Sequence, residues 1–515
     1  MLAKDLTLLY NYFYSHCLLG LLGGKIMDFV VLGCIVVYLA ILLAVGFYSY
    51  SKSSTMAEYI LGDRGLGKWT TALSAQASDM SGWLLMGLPG ALYVGGLCEA
   101  WIAIGLAIGT YLNWRFIAYR LRIFSESLDN ALTMPEYLSN RFHDNKNLLK
   151  TVTAIFITIF FLIYTASAIV AGAKLFSTVF NMSYMVALLI GWLLILIYTF
   201  AGGFLAVCWT DFIQGMLMFF AMVIVPVTMF IMLGANWGDI APLLESGGDT
   251  YLKLSGSTSG MDWKSILSNL AWGLGYFGMP HIIVRFMAIK DPKELKYSRI
   301  IATGWVLITL GAAICIGILG RAFVTKFGLP FTDADAESIF LVAIDYIFPS
   351  VFAGWLLAAV LSATMSTADS QLLVSASSIS NDLVKSFNKK IPDKKLLWIS
   401  RVSVLMIAIL ALAIAIDPNN SIMGLVSNGW AGLGGAFSAI MLLSLFWRKT
   451  SLKGAVTGIL VGGSTVILWL IFGGNTGIYA LLPGFIFSAL SIIIVSLIWP
   501  DKESEELFDK AIKNL

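Results

Sequence analysis

The sequence predicts an all-α protein that crosses a membrane many times. Hydrophobic residues make up 58% of its 515 residues and charged residues only 12%, whereas soluble proteins carry about 25% charged residues. The charges lie between continuous apolar runs of about 20 residues, the length of a helix that spans a bilayer. A transmembrane β-barrel would need segments of about 10 residues that alternate polar and apolar side chains, so these runs exclude a barrel.

Thirteen apolar segments are long enough to be transmembrane helices. Their approximate bounds are 28–50, 69–95, 98–123, 149–178, 182–201, 207–234, 264–286, 298–325, 350–384, 398–416, 421–446, 453–473 and 477–499. The connections on one side, together with the tail, hold 26 of the 33 Lys and Arg residues. Because Lys and Arg accumulate in cytoplasmic connections, we expect a multi-pass protein of the cytoplasmic (inner) membrane with its N-terminus outside and its C-terminus inside.

The chain is predicted to form one transmembrane domain, residues 27–500, with a short segment on either side. Met27 directly precedes the first apolar segment, and the residues before it lack the cleavage site of a signal peptide. We therefore hypothesise that Met27 is the natural start and that residues 1–26 are an extension. Residues 501–515 are expected to be a cytoplasmic tail, a charged amphipathic helix in solvent with no chemistry of its own.

Composition and motifs argue against several other functions. A net charge of +3 leaves no basic surplus for binding nucleic acid. The five cysteines form no CxxC pair, and the three histidines are too scattered to be paired metal ligands. Because hydrolase motifs are also missing from the sequence, we expect a protein that is not an enzyme, with the lipid bilayer around it, no organic cofactor and no obligatory protein partner.

Two apolar segments are interrupted in matched places, five segments apart. The second segment contains Asp79 among serines, and the seventh places three glycines and Pro280 within eight positions. Irregular backbone inside a membrane is tolerated only where it is buried in protein or lines a cavity. Matched interruptions are typical of transporters built from inverted repeats, which bind substrate between the two breaks. The repeats would be residues 69–234 and 264–446, each with five helices.

Individual polar residues in these segments have both a functional and a structural interpretation. An intramembrane carboxylate such as Asp79 costs about 2.5–3.5 kcal/mol and indicates function, although an ion pair with an arginine or a cap at the break would also explain it. Ser366 and Thr367 offer hydroxyl oxygens to a hard cation such as sodium, but small residues in a helix also favour close packing. Asp211 follows a Gly-Gly turn and lies either at a cytoplasmic boundary or at a helix N-terminus.

Several long motifs resemble the sodium/solute symporter family, and within it the sodium/proline symporters. They are ALSAQASDMSGWLLMGLPGA, WGLGYFGMPHIIVRFMA, LSATMSTADSQLL, YTFAGGFLAVCWTDFIQ and, near Lys449, RKTSLKGAVTGILVGG. The likeness runs from about Met27 to about Pro500. It implies a fold similar to that of the bacterial leucine transporter, with segments two to eleven as a ten-helix core.

The resemblance also implies roles for individual residues. Sodium, the coupling ion, would bind backbone oxygens and two hydroxyls, supplied by Ala77, Met80, Ala363, Ser366 and Thr367. Asp79 matches an aspartate essential for sodium coupling, and Asp211 matches a carboxylate implicated in sodium passage. The substrate, L-proline, would contact Ser81, Gly82, Trp83, Tyr164, Trp272, Tyr276 and Pro280. Packing is the alternative role of the three aromatic residues Tyr164, Trp272 and Tyr276.

Two positions depart from the pattern of the proline-transporting members, which more often carry glycine in place of Gln76 and glutamine in place of Met279. Neither is an expected sodium ligand, so the resemblance still implies sodium-coupled uptake of L-proline by alternating access. The alternatives are a sodium- or proton-coupled symporter of another small amino acid or organic solute, and a transporter-like sensor. The short tail after Pro500 argues against an attached signalling domain.

Overall fold

The computed structural model describes residues 29–50, 55–201, 203–257, 262–388 and 390–515. Within these ranges the protein is α-helical without any β-strand, and one isolated bridge pairs Leu66 with Ile289. The hypothesised extension 1–26, Met27 and Gly202 lie outside the described residues.

The first half of the chain contains the helices of segments one to six. They are α1 (Phe29–Tyr50), α2 (Met56–Leu61), α3 (Lys68–Asp79), α4 (Leu88–Gly95), α5 (Ala100–Leu112), α6 (Ala118–Ser127), α7 (Met134–Arg141), α8 (Leu148–Phe180), α9 (Tyr184–Ala201) and α10 (Phe204–Met232). The second segment is broken as predicted. Helix α3 ends where the backbone of Met80 leaves the helical conformation (φ −82°, ψ 78°), and a π-helical turn over Trp83–Gly87 leads into α4.

The second half contains the helices of segments seven to thirteen and of the tail. They are α11 (Trp237–Ile240), α12 (Trp263–Leu270), α13 (Pro280–Met287), α14 (Leu295–Phe327), α15 (Ile339–Ile347), α16 (Ser350–Ser377), α17 (Lys385–Phe387), α18 (Asp393–Ala415), α19 (Ile422–Phe446), α20 (Leu452–Phe472), α21 (Leu481–Ile498) and α22 (Lys502–Ile512). The seventh segment is also broken, because a 3₁₀ stretch over Ala271–Gly278 separates α12 from α13.

In the described part of the chain, ten helical stretches are long and apolar enough to cross a membrane. The protein is therefore a multi-pass membrane protein. Thirteen predicted segments compare with ten stretches for three reasons. The seventh segment is divided into short helices, and the apolar part of α9 is Tyr184–Thr199. Helices α4 to α6 follow one another within one stretch, Trp83–Ser127, in which the backbone turns at Gly96 (φ 75°, ψ −159°). The number thirteen stays a prediction.

Burial separates the helices that face lipid from those that form the interior. In α1, α20 and α21 only 28 to 33% of an 18-residue apolar stretch is buried inside the protein. In α16 and α19 the buried share of such a stretch is 83%. Helix α3 is interior as well, because every residue from Thr70 to Asp79 is buried. The interior helices carry the polar residues that the sequence singles out, and the surrounding helices shield them from lipid.

The two ends of the bundle have different names below. The end that holds α22 is the tail end. The end that holds residues 96–99 and 473–480 is the vestibule end, named after a cavity that Glu99 and Tyr479 line. At the tail end, the N–H of Leu66 donates to the Ala288 carbonyl oxygen (3.1 Å), and the Thr133 hydroxyl donates to Asp382 Oδ1 (2.9 Å). These bonds tie the connections around the broken helices together at that end.

The tail is a helix that packs on the bundle, in contrast to the expected solvated helix. Phe508 and Ala511 of α22 are buried, and Arg448 forms ion pairs with Glu505 and Asp509. Arg141 donates from Nη1 to the Ser504 carbonyl oxygen at 2.6 Å. Burial lowers the pKa of the Arg141 guanidinium to about 10, so it keeps its charge at neutral pH.

The broken seventh segment packs against α5 through glycines that leave no room for a side chain. A Cβ atom on Gly273 would lie 2.1 Å from the Gly105 carbonyl oxygen, and one on Gly109 would lie 2.2 Å from the Gly273 carbonyl oxygen. These glycines allow the backbones of α5 and of the 3₁₀ stretch to touch.

We predict that Gly273→Ala destabilises the fold by about 1–3 kcal/mol, because an added methyl group overpacks this contact. Thermal unfolding of the detergent-purified protein measures the loss. Gly311→Ala in α14 is the matched control, since its Cβ would meet nothing within 4 Å, and it should not destabilise. Equal melting temperatures for Gly273→Ala and the unchanged protein would contradict the predicted contact.

Candidate functional site

The two broken helices meet through one hydrogen bond. The Tyr276 hydroxyl, in the 3₁₀ stretch between α12 and α13, donates to Asp79 Oδ2 at 2.5 Å. Asp79 is the last residue of α3, and its carbonyl oxygen accepts from Trp83 Nε1 at 3.0 Å. Both Asp79 and Tyr276 are fully buried. The resemblance led us to expect that Tyr276 contacts the substrate, and the structure adds this polar contact.

Four of the five residues predicted to bind sodium lie together, between α3 and α16. The Ser366 hydroxyl is 2.7 Å from the Ala77 carbonyl oxygen and 3.4 Å from that of Ala363, and the Thr367 hydroxyl is 3.4 Å from the Ala77 oxygen. All four residues are buried. Met80, the fifth, lies at the break that ends α3. Carbonyl and hydroxyl oxygens are the ligands that a hard cation prefers, so this donor set fits sodium.

Carboxylates and soft ligands do not form an alternative metal centre in the described residues, which contain no group of three or more His, Cys, Asp or Glu side chains that could hold a metal ion. The chemistry available at the Ala77 cluster is therefore that of neutral oxygens, which suits a monovalent cation better than a transition metal.

Asp211 belongs to a second, charged cluster. Its Oδ2 lies 3.1 Å from Arg285 Nη2 and accepts a hydrogen bond from the Ser74 hydroxyl at 2.7 Å. Arg285 Nη2 also donates to the Ser370 hydroxyl at 2.6 Å. Helix α10 begins at Phe204, so Asp211 lies within the helix and is not its N-terminal charge. This cluster joins α3, α10, α13 and α16.

Sequence reasoning missed two members of the charged cluster. Arg285 stands at the end of the seventh predicted segment and was given no role, but it is only 1% exposed inside α13. Asp369, two residues after Thr367, is fully buried and interacts electrostatically with Asp211 and Arg285. The available signal was that carboxylates inside a membrane require a positive partner.

The predicted aromatic residues gather around Trp430 of α19, which the sequence did not single out. The Trp272 ring stacks on Trp430 at 6.4 Å and on Tyr479 at 5.0 Å. Tyr276 and Tyr164 meet the Trp430 ring edge-on, at 5.2 and 6.4 Å. The Trp430 indole N–H donates to the Trp272 carbonyl oxygen at 2.9 Å. We call Tyr164, Trp272, Tyr276, Trp430 and Tyr479 the aromatic group.

The remaining predicted substrate residues lie around the two breaks. The Ser81 hydroxyl accepts from the Trp83 N–H at 3.3 Å, and a Cβ on Gly82 would lie 2.7 Å from the Cβ of Ala171 in α8. Pro280 begins α13 and lines a narrow cavity together with Phe204, so the structure does not place it within the aromatic group. The two departures from the family pattern, Gln76 and Met279, are buried as well.

A cavity of about 510 Å³, which we call the vestibule, adjoins the aromatic group at the vestibule end. Trp272 and Tyr479 line it together with Glu99, Asn269 and Met423. Asn269 donates to Glu99 Oε2 at 3.3 Å. Trp272, which lines this cavity, contacts Trp430, which contacts Tyr276 and so connects the cavity to Asp79 at the break.

Residues 59–462 match the sequence profile described as the Sodium:solute symporter family. The chain belongs to this family. It is 44% identical to the osmoregulated proline transporter OpuE of Bacillus subtilis, over 92% of this chain and 96% of that relative. It is 43% identical to the sodium/proline symporter of Escherichia coli, over 90% of this chain and 92% of that relative.

The fold of this symporter is also similar to that of a Na+-coupled sialic acid symporter, solved in a substrate-bound outward-open state. The TM-score is 0.77, with 19% identity over 92% of this chain and 99% of that chain. This likeness concerns the fold alone. It confirms the predicted all-α, leucine-transporter-like architecture of the symporter.

The buried pair of Arg285 and Asp211 leads to a prediction about stability. Arg285→Met should destabilise the symporter by about 3–5 kcal/mol, because it leaves a buried carboxylate without its counter-charge. Thermal unfolding in detergent and the yield of monodisperse protein measure the effect.

The double variant Arg285→Met with Asp211→Asn is the matched control, because it removes both charges, and it should recover part of the loss. If the double variant is no more stable than the single variant, the two charges do not compensate each other and the prediction is wrong.

Proposed function

We propose that the protein takes up L-proline across the cytoplasmic membrane, coupled to sodium, by alternating access between inward and outward openings. One observation carries the proposal. Asp79 stands at the break of α3, two residues from the oxygen cluster at Ala77 and hydrogen-bonded to Tyr276 of the aromatic group. A cation site and a site for an apolar ring thus share one buried junction, and the relatives named for proline transport support proline as the substrate.

In this proposal sodium binds between α3 and α16, at the carbonyl oxygens of Ala77, Met80 and Ala363 and the hydroxyls of Ser366 and Thr367. The ion draws the broken end of α3 onto α16 and thereby stabilises the arrangement that receives substrate at the vestibule end. Asp79, close to this junction, couples ion and substrate. Asp211 assists sodium passage, since its Oδ1 atom has no hydrogen-bond partner among the described residues.

Proline offers a carboxylate, a secondary ammonium and an apolar ring, and the junction offers a partner for each. The backbone N–H group of Gly82 precedes the helical turn that begins at Trp83 and suits a carboxylate. Asp79 Oδ1, which has no hydrogen-bond partner in the described part of the chain, and the Ser81 hydroxyl suit the ammonium. Trp272, Tyr276 and Tyr164 cover the ring, and Pro280 lies at the far side of the break.

The energetics of this coupling need no ATP and no organic cofactor. One sodium ion that enters with a neutral zwitterion carries one charge, worth about 2.3 kcal/mol per 100 mV of membrane potential. That energy supports roughly fifty-fold accumulation of proline. The strong Lys and Arg bias places the tail end in the cytoplasm in this proposal, with the N-terminus outside.

Uptake by the purified protein in liposomes tests the function. Labelled L-proline is offered with sodium, lithium or potassium outside, at several pH values and with an inside-negative potential. We expect accumulation above equilibrium only with a sodium gradient, and competition by unlabelled proline but not by larger amino acids. Uptake driven by low external pH without sodium would instead establish a proton-coupled carrier, and accumulation of another solute would replace proline as the substrate.

We predict that Ser366→Ala and Thr367→Val weaken the apparent sodium affinity roughly ten- to a hundredfold, because each removes an oxygen worth about 1.5–3 kcal/mol to a charged partner. The measurement is proline uptake across a sodium titration, with the reconstituted protein quantified. Ser362→Ala is the matched control, since this buried hydroxyl donates to the Ala358 carbonyl oxygen of its own helix, and its half-saturation should be unchanged. A normal sodium half-saturation in both test variants would refute the site.

A further inference from the structure

Tyr479 is the member of the aromatic group that lies outside the ten-helix core. It lies in the connection between α20 and α21, which follow the second predicted repeat. Nothing in the sequence distinguished it from the other 18 tyrosines. In the structure its ring lies parallel to that of Trp272, with centroids 5.0 Å apart and an interplanar angle of 13°. No other ring contact of Trp272 in the described residues is as close.

Tyr479 is held in place from two elements of the core. Its hydroxyl donates to the Ser427 carbonyl oxygen of α19 at 2.9 Å. Its N–H donates to the Ser268 hydroxyl of α12 at 3.1 Å, and that hydroxyl donates in turn to the Gly477 carbonyl oxygen at 3.2 Å. Three hydrogen bonds therefore fix both the ring and the backbone of this connection on the helices that flank the seventh break.

Tyr479 covers part of the Trp272 ring where both residues line the vestibule. Trp430 stacks on the Trp272 ring as well and donates to its carbonyl oxygen, so Trp272 has an aromatic neighbour on the α19 side in addition to Tyr479. Only 4% of Trp272 is exposed, even though it borders a cavity of about 510 Å³. Without the Tyr479 ring, the indole would face that cavity and gain freedom to turn into it.

We propose that Tyr479 is a positioning residue for the transported solute. It holds the Trp272 indole over the substrate and forms the outer wall of the binding site together with it. This inference rests on the proposed function. It gives α20 and α21, which lie outside the core, a task in transport: they carry the residue that completes the site on the vestibule side.

The test compares Tyr479→Leu and Tyr479→Phe in liposomes. Leucine removes the stack, and we expect the proline half-saturation to rise about two- to tenfold, the range for a lost aromatic pair. Sodium half-saturation at saturating proline should not change, because the oxygen cluster at Ala77 contains no residue of the aromatic group. Phenylalanine keeps the stack and should restore most of the proline affinity.

Tyr184→Leu is the matched control, because this tyrosine also lies near the vestibule end and donates to the Ala415 carbonyl oxygen, away from the aromatic group. It should leave both half-saturations unchanged. A purely structural role is established, and the inference overturned, if Tyr479→Leu keeps its proline half-saturation or if proline and sodium half-saturations rise together. Failure of the unchanged protein to take up proline with sodium would instead overturn the proposed function.

Discussion

A helix that breaks inside a membrane leaves backbone polar groups that lipid cannot satisfy, and the interior of this protein is organised around that constraint. At the end of α3, the Ala77 carbonyl oxygen accepts from Ser366 of α16, and the Asp79 carbonyl oxygen accepts from the Trp83 indole. The side chain of Asp79 then binds Tyr276 of the second break. Satisfying one break thus brings together α3, α16 and the seventh segment, which are the elements that form the candidate site.

The charged cluster meets the same requirement, that buried polar groups have partners inside the protein. A carboxylate in this interior needs a counter-charge, and Arg285 supplies one to Asp211. Arg285 also donates to the Ser74 and Ser370 hydroxyls and to the His281 carbonyl oxygen. The cluster lies against α3 and α16, the two helices that also hold the neutral oxygen cluster. Movement of either helix therefore changes both clusters at once, which links ion binding to the arrangement of the bundle.

The helices and the two breaks follow from the sequence, because apolar length and interrupted segments directly reflect the demands of a bilayer. The grouping of Ala77 with Ser366 was implied by the resemblance to the family. Arg285 was not singled out because it stands at the edge of a segment, where a long cationic side chain also reaches the interface. Trp430 and Tyr479 could not be selected among 16 Trp and 19 Tyr residues, since aromatic residues are common at membrane interfaces. Their role depends on contacts between helices far apart in the chain.

The Ser366 and Thr367 hydroxyls donate to the Ala77 carbonyl oxygen. In the proposed function, cation binding at this cluster is an exchange, in which hydrogen bonds between two helices are replaced by bonds from both helices to the ion. The affinity that a titration reports is the difference between these two sets of bonds. Selectivity among cations consequently depends on how far α3 and α16 must separate to admit each ion, so the stiffness of their packing tunes ion choice without any change of ligand.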